Sequence, residues 1–148
     1  MSITEINGDL FSILKEENTS YGKLALAHCV SKDLYMGKGI AVNFKNTFGK
    51  VEELKAQQKD IGDLAYLEHG DITVFYLITK SNYFGKPTYK SLESCLLKLR
   101  DLALEREINT IAIPQIGCGL DQLNWFNVKA DITNILVTSG INIIVYYL

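Results

Sequence analysis

Three glycine-bearing motifs are the places where this sequence could bind an anion. They are GDL at residues 8–10, MGKGIA at residues 36–41 and PQIGCGLD at residues 114–121. Glycine lets backbone N–H groups approach an oxyanion closely, so two such loops facing each other would suit a diphosphate. A lone glycine motif is more often only a tight turn, and the motifs therefore indicate a site only if the fold brings them together.

Three side chains close to these motifs could take part in chemistry. Lys80 ends the run ITVFYLITK and is either a solvated strand-terminal lysine or, at the mouth of a cleft, a nucleophile toward a carbonyl carbon. Asp121 either caps the helix that follows it or acts as a general acid and base. Asp9 fits a turn better than it fits an acceptor for an exocyclic amine such as that of adenine. Spacing alone leaves these alternatives open.

The cysteines and histidines predict neither a disulfide framework nor a zinc site. Cys29, Cys95 and Cys118 are widely spaced with no CxxC pair, and His28 and His69 are the only histidines. Cys118 lacks an evident base and is interpreted as a small packing residue. His28 lies in the apolar run LALAHCV and is interpreted as a hydrogen-bonded core histidine. We predict no metal and no cofactor.

Strands and helices that must position these residues are indicated along the whole chain. Apolar runs such as TVFYLI predict strands covered on both faces. Four helical patterns lie among the strands, and in one of them Leu92, Leu96, Leu99 and Ala103 form a stripe that should face the sheet. The predicted fold class is α/β, a three-layer α/β/α domain with a central mixed β-sheet. The predicted strands cover residues 3–6, 24–30, 65–68, 72–79, 110–113 and 141–147, and the predicted helices cover residues 40–46, 51–59, 89–106 and 125–138.

Composition limits the function classes. The chain has 148 residues, 47% apolar residues and a formal net charge of −2, which describes one globular domain over residues 1–148. This charge gives no basic stripe for gripping a long phosphate backbone, so any nucleic-acid contact should be local. With no membrane-spanning run and no basic-apolar leader pattern, we expect a cytoplasmic protein, or a nuclear one in a eukaryote.

The motifs taken together resemble those of the macro domain family. INGDLF, LAHCVS, MGKGIAVNFKNTFG, YLITK, KPTY, PQIGCGLD and VYYL occur in the family's order over residues 3–148, and the YLITK, KPTY and IGCGLD blocks are similar to the terminal ADP-ribose protein glycohydrolase-like branch. The resemblance implies a hydrolase that binds ADP-ribose, and we expect it to be a monomer. It would remove ADP-ribose from glutamate or aspartate side chains of modified proteins, and related bacterial members act on modified DNA bases.

The resemblance also implies roles for individual residues. Lys80 would attack C1″ of the distal ribose, and Asp121 would move protons and resolve the lysine adduct. Two departures from the family pattern could change affinity or target: Gln115 stands in place of arginine, and Lys38 stands in place of a small residue. The implied ADP-ribose contacts are Leu10 and Ser31 at the adenosine end with Asp9 nearby, Gly37 and Gly39 on one phosphate wall, Gln115, Ile116, Gly117, Cys118, Gly119 and Leu120 on the other, and Leu148 closing the pocket.

Three rival functions stay open at this point. Other macro domains remove phosphate from ADP-ribose 1″-phosphate, which would not need a lysine nucleophile. A reader module would bind ADP-ribose without cleaving it. Deacetylation of O-acetyl-ADP-ribose also cleaves an ester at the same ribose, and we expect it as a side activity.

Overall fold

A six-stranded mixed sheet organises the chain, and the computed structural model describes residues 2–15, 21–118 and 122–148. The spatial strand order is β1-β6-β5-β2-β4-β3, in which every neighbouring pair is parallel except β3 and β4. Five strands therefore end at the same edge of the sheet. The strands are β1 (Ile3–Asn7), β2 (Leu24–Ser31), β3 (Leu64–His69), β4 (Ile72–Lys80), β5 (Thr110–Ile113) and β6 (Asn142–Tyr147).

Helices cover both faces of this sheet, as the continuous apolar strands predict. The α-helices are α1 (Ile40–Phe48), α2 (Val51–Ala56), α3 (Tyr89–Glu105) and α4 (Trp125–Ile135). A 3-10 helix at Leu10–Lys15 was not predicted, and a shorter one lies at Val137–Ser139. The predicted order of strands and α-helices is confirmed, and so is the three-layer class. None of the helices in the described part of the chain is long and apolar enough to cross a membrane.

Two buried clusters hold the three layers together. Side chains alternate across a strand, so Ala25 and Ala27 of β2 face one cluster while Leu26 and Val30 face the other. The first cluster contains the buried stripe of α3, which confirms that prediction. The second contains Phe44 and other residues of α1 and α2. The stripe residues are Leu92, Leu96, Leu99 and Ala103.

His28 packs against the second cluster, but its hydrogen bonding differs from the prediction. Its side chain is buried and stacks on Phe44 with ring centroids 3.7 Å apart, and it meets Tyr76 edge-on at 4.9 Å. Neither ring nitrogen has a hydrogen-bond partner among the described residues, so the hydrogen-bonded interpretation was wrong. Complete burial disfavours the charged imidazolium and lowers the pKa of His28 to about 3.

Two helices end earlier than their sequence patterns predict. Helix α2 stops at Ala56: Gln57 is its C-cap with helical φ and ψ, and Gln58 turns into the left-handed region at φ 53°. The amide side chain of Gln57 pairs with the backbone of Tyr66 on β3, donating at 2.7 Å and accepting at 3.0 Å. Helix α4 stops at Ile135 and continues as the 3-10 segment. Gly140, at φ 94°, ends that segment in the left-handed region that glycine adopts readily.

Candidate functional site

A cleft of about 520 Å³ opens where the carboxyl ends of β2, β4 and β5 lie side by side. Such strand ends are the usual ligand position in open α/β sheets. Two glycine motifs and the predicted nucleophile, which are far apart in sequence, meet in this cleft. Its walls are formed by residues 28–31, residues 35–41, Lys80, residues 83–86 and residues 114–118.

Lys80 is placed by an irregularity between β2 and β4. The parallel register shifts between Val30 and Ser31, so Ser31 lies opposite Lys80. The amide of Lys32 donates to the carbonyl oxygen of Lys80 at 2.8 Å, which continues the pairing past the shift. Such bulges re-aim side chains at the ends of strands. The half-buried Lys80 therefore lines the cleft from a main chain held on the side of β2.

Asp33 joins the two loops that flank Lys80. One carboxylate oxygen accepts hydrogen bonds from the hydroxyl of Ser31 and, at 3.1 Å, from the amide of Tyr35. The other oxygen accepts the amide of Tyr83 at 3.1 Å. Partial desolvation would raise the pKa of this carboxyl, but those hydrogen bonds and the positive charge of Lys80 outweigh it and lower the pKa. Asp33 thus acts as a charged brace between the loops.

The MGKGIA motif forms the turn into α1. Gly39 is the N-cap, and its φ of 60° and ψ of −148° lie in a region essentially restricted to glycine. It has no side chain to accept the first amides of the helix, and Ile40 and Ala41 line the cleft. A Cβ on Gly37 would lie 2.3 Å from Cε2 of Tyr35, so a larger residue there would displace the Tyr35 ring. The geometry suits an anion, since helix N-termini attract negative charge.

The opposite wall is the loop that follows β5. Ile116 is buried there, while Gln115 and Cys118 are half-buried at the cleft surface. The amide of Leu123 donates to the carbonyl oxygen of Gly117 at 2.8 Å and so ties the loop to the chain leading into α4. Gly119, Leu120 and Asp121 lie outside the described residues, and their predicted roles stay predictions.

The cleft carries positive side chains. Lys38, Lys80 and Lys86 line it, and its described walls include no aspartate or glutamate side chain. Lys38 and Lys86 are exposed, so they offer long-range attraction more than a fixed contact. This distribution fits a ligand with two adjacent negative charges. Among the residues that the structure describes, no group of histidine, cysteine and carboxylate side chains is arranged to hold a metal ion.

Three predicted contacts lie outside the walls of the cleft, at the carboxyl ends of β1 and β6. The side chain of Asp9 accepts the amide of Phe11 at 3.0 Å, as a turn residue does. Leu10 is buried in the second cluster, and Leu148 is 97% exposed. These positions share the strand-end edge with the cleft, and their contact with adenosine stays a prediction. The residues placed in the cleft walls are Ser31, Gly37, Gly39, Lys80, Gln115, Ile116, Gly117 and Cys118.

Sequence reasoning missed Asp33 and three aromatic residues of the cleft mouth, Tyr35, Tyr83 and Phe84. A signal was available: the YF pair sits in an otherwise polar loop just after Lys80, and Tyr35 directly precedes the MGKG motif. Their mutual proximity depends on the pairing of β2 with β4, which joins residues about fifty positions apart.

Comparison with known proteins shows what this chain is similar to. A family model described as Macro domain matches residues 27–131. ADP-ribose glycohydrolase OARD1 of Homo sapiens is 42% identical over 146 residues, which cover 99% of this chain and 91% of that protein. The DNA ADP-ribosyl glycohydrolase of Thermus aquaticus is 28% identical over 82% of this chain and 37% of its own length. The solved macrodomain of Thermus aquaticus DarG superposes with a TM-score of 0.82 at 25% identity, covering all of both chains.

Proposed function

Since this chain belongs to the macro domain family, we propose that it is an ADP-ribosyl glycohydrolase, a hydrolase that binds ADP-ribose and releases it from modified macromolecules. The relative from Homo sapiens, an ADP-ribose glycohydrolase by name, matches almost the whole chain. The relative from Thermus aquaticus carries the same type of activity toward DNA in its name. Both names support a reaction at the bond that joins ADP-ribose to its target.

The observation that carries the proposal is the position of Lys80. A primary amine at the end of β4 lines a cleft whose other walls are two glycine-bearing loops. The loops suit the diphosphate, because backbone amides and the first turn of α1 complement its charge. With the diphosphate between them, the distal ribose is directed toward the strand end that carries the amine.

The chemistry follows from the nature of the bond. The amine of Lys80, having passed a proton to Asp121, attacks C1″ as the bond from C1″ to the target breaks. The target leaves as a carboxylate or, when Asp121 protonates its ring nitrogen, as an unmodified base within its strand. Opening of the ribose ring gives a Schiff base, which water hydrolyses to free ADP-ribose and the regenerated amine. A carboxylate is needed to receive and return protons, and we assign this role to Asp121. Asp33, whose pKa is lowered, stays ionised and braces the loops on either side of Lys80.

Two classes of modified macromolecule fit this reaction. We propose that the chain acts on glutamate- or aspartate-linked ADP-ribose in proteins, on ADP-ribosylated DNA bases, or on both. It would work as a monomer in the cytoplasm, with ADP-ribose as ligand and no cofactor.

The test is release of free ADP-ribose from a glutamate-linked ADP-ribosylated protein and from an ADP-ribosylated single-stranded oligonucleotide. Lys80→Ala removes the amine, and Lys80→Arg keeps the charge without an amine able to form the Schiff base. Lys98→Ala on the exposed face of α3 is the matched control. Loss of release in both Lys80 variants supports the proposal. Binding of ADP-ribose without release by the wild type would contradict it and indicate a reader module.

A further inference from the structure

Three aromatic side chains form an exposed rim at the mouth of the cleft, on the Lys80 side. Tyr35 and Tyr83 are each 52% exposed, and Phe84 is 73% exposed. The rings of Tyr35 and Tyr83 pack with centroids 4.4 Å apart, and Phe84 meets Tyr83 edge-on at 5.3 Å. We call these three residues the aromatic rim. Clustered apolar exposure of this kind marks interaction sites more often than isolated surface residues do.

The main chain holds the rim in place. The amides of Tyr35 and Tyr83 both donate to the carboxylate of Asp33, so the two loops that carry the rings are cross-linked beneath them. The rings are therefore presented by a braced backbone and are not buried by the core. An aromatic pair fixed in this way is a pre-organised surface for a planar partner.

The rim adjoins the group that leaves in the proposed reaction. Tyr83 follows Lys80 by three residues, and all three rim residues line the same cleft as Lys80. If the amine attacks C1″, the group bonded to C1″ lies in the same cleft as Lys80 and the rim. Tyr83 and Phe84, which follow Lys80 in the chain, are therefore placed to meet the modified target.

Lysine side chains lie on two sides of the rim. Lys38 and Lys86 line the cleft beside it. Tyr35 and Tyr83 also border a second depression of about 360 Å³ whose other walls include Lys45 and Lys55. Lys55 pairs with Glu52 there at 3.8 Å, and Asp33 also lines this depression, so its charge is mixed. Aromatic rings interleaved with lysines are the usual surface for single-stranded nucleic acid.

We propose that the aromatic rim stacks against the modified base of a single-stranded nucleic acid and selects base-linked over carboxylate-linked ADP-ribose. This inference rests on the proposed function and names its substrate class. A flexible aliphatic carboxylate side chain offers no planar face to the rings, whereas every base does. The overall charge of −2 gives no basic stripe for a long strand, so the contact is local, with the flanking phosphate toward Lys45 and Lys55. A base paired in a duplex is not accessible to the rim unless it is first unstacked.

The experiment measures kcat/KM on three substrates: a single-stranded oligonucleotide with one ADP-ribosylated base, the same strand in a duplex, and a glutamate-linked ADP-ribosylated peptide. The variants are Tyr83→Leu and Phe84→Leu, which keep the hydrogen bond from the backbone N–H of residue 83 to Asp33. Phe126→Leu is the control, because Phe126 is 81% exposed on α4 and does not line the cleft. We expect the two rim variants to lose roughly tenfold on the single strand, the scale of one stacking contact, and less than about twofold on the peptide.

The contrary outcomes are distinct. Equal losses on oligonucleotide and peptide would place the rim on ADP-ribose itself and overturn the inference. The inference would also be overturned if Tyr83→Leu lowered kcat/KM on the single strand no more than Phe126→Leu does. A higher kcat/KM of the wild type on the peptide than on the single strand would overturn it as well. Release from no substrate would contradict the proposed function instead, and the affinity of the same variants for the modified oligonucleotide would then decide whether the rim stacks.

Discussion

The carboxylate of Asp33 accepts the backbone amide of Tyr83 at 3.1 Å across a separation of fifty residues. The same carboxylate accepts the amide of Tyr35 and the hydroxyl of Ser31. One side chain thus fixes the spacing between the loop that leads to the MGKGIA motif and the loop that follows Lys80. The catalytic lysine and the diphosphate wall that we propose are held at a constant distance by this brace.

The substitution Asp33→Asn should separate the loops without opening the fold. The amide side chain would offer one oxygen for two loops and no charge for Lys80, so we expect kcat/KM for ADP-ribose release to fall about tenfold, the cost of one or two charge-assisted hydrogen bonds. Steady-state kinetics and thermal unfolding check this. Asp60→Asn is the control, because Asp60 is an exposed carboxylate paired with Lys32. If Asp33→Asn and Asp60→Asn had the same kcat/KM, Asp33 would not be holding the two loops together.

A methyl group at residue 37 should disturb the rim and the diphosphate wall together. The Cβ of Gly37→Ala would lie 2.3 Å from the ring of Tyr35, so the ring or the loop must move. Overpacking of this size costs about 1 kcal/mol or more, and we expect ADP-ribose affinity to fall roughly fivefold. Isothermal titration calorimetry with ADP-ribose measures this change in affinity. Tyr35→Ala should restore the affinity of the Gly37→Ala chain, and failure of this rescue would show that the clash is not the cause.

Acid should destabilise the protein through His28. In the folded chain burial keeps the imidazole neutral with a pKa of about 3, whereas in the unfolded chain it titrates near 6.5. The unfolded state binds more protons between these values, so stability from this group is complete above about pH 6.5 and decreases as pH falls toward 3. At pH 5 the loss is about 2 kcal/mol of unfolding free energy.

Urea unfolding of wild type and His28→Leu at pH 7.5 and pH 5 tests this sign. The variant should lose less stability than the wild type between the two pH values, by about 2 kcal/mol. His69→Leu is the control, since His69 is exposed on the surface. If His28→Leu and the wild type lose the same amount, His28 is not the titrating group.

The fold was largely predictable because the apolar runs are long and the helices carry clear signals. Strand β4 reads as a buried strand over its whole length, and Thr88 caps α3 by accepting the amide of Ser91 at 3.0 Å, as its place before the helix predicts. The end of α2 was not predictable from local pattern. The chain turns away at Gln58, at φ 53°, and the side chain of Gln57 pairs with Tyr66, a partner that no neighbouring residue in the sequence indicates.

The site was predictable in its motifs and not in its bracing. Glycine motifs and a strand-terminal lysine are local signals, and Gly37, Gly39, Lys80 and Gln115 all line the cleft. Asp33 and the aromatic rim act through contacts between distant loops, which exist only once β2 and β4 pair. His28 shows the same limit, because an apolar run predicts burial but does not tell whether the ring nitrogens find partners.

In the proposed reaction the amine of Lys80 forms a covalent adduct with the distal ribose. Borohydride added during turnover should reduce the Schiff base, and intact mass followed by peptide mapping should place one ADP-ribose on the peptide that contains Lys80. The adduct should accumulate further in Asp121→Ala and be absent from Lys80→Arg. Substrate turnover by the wild type with no trapped mass, or a modified peptide elsewhere in the chain, would contradict the mechanism.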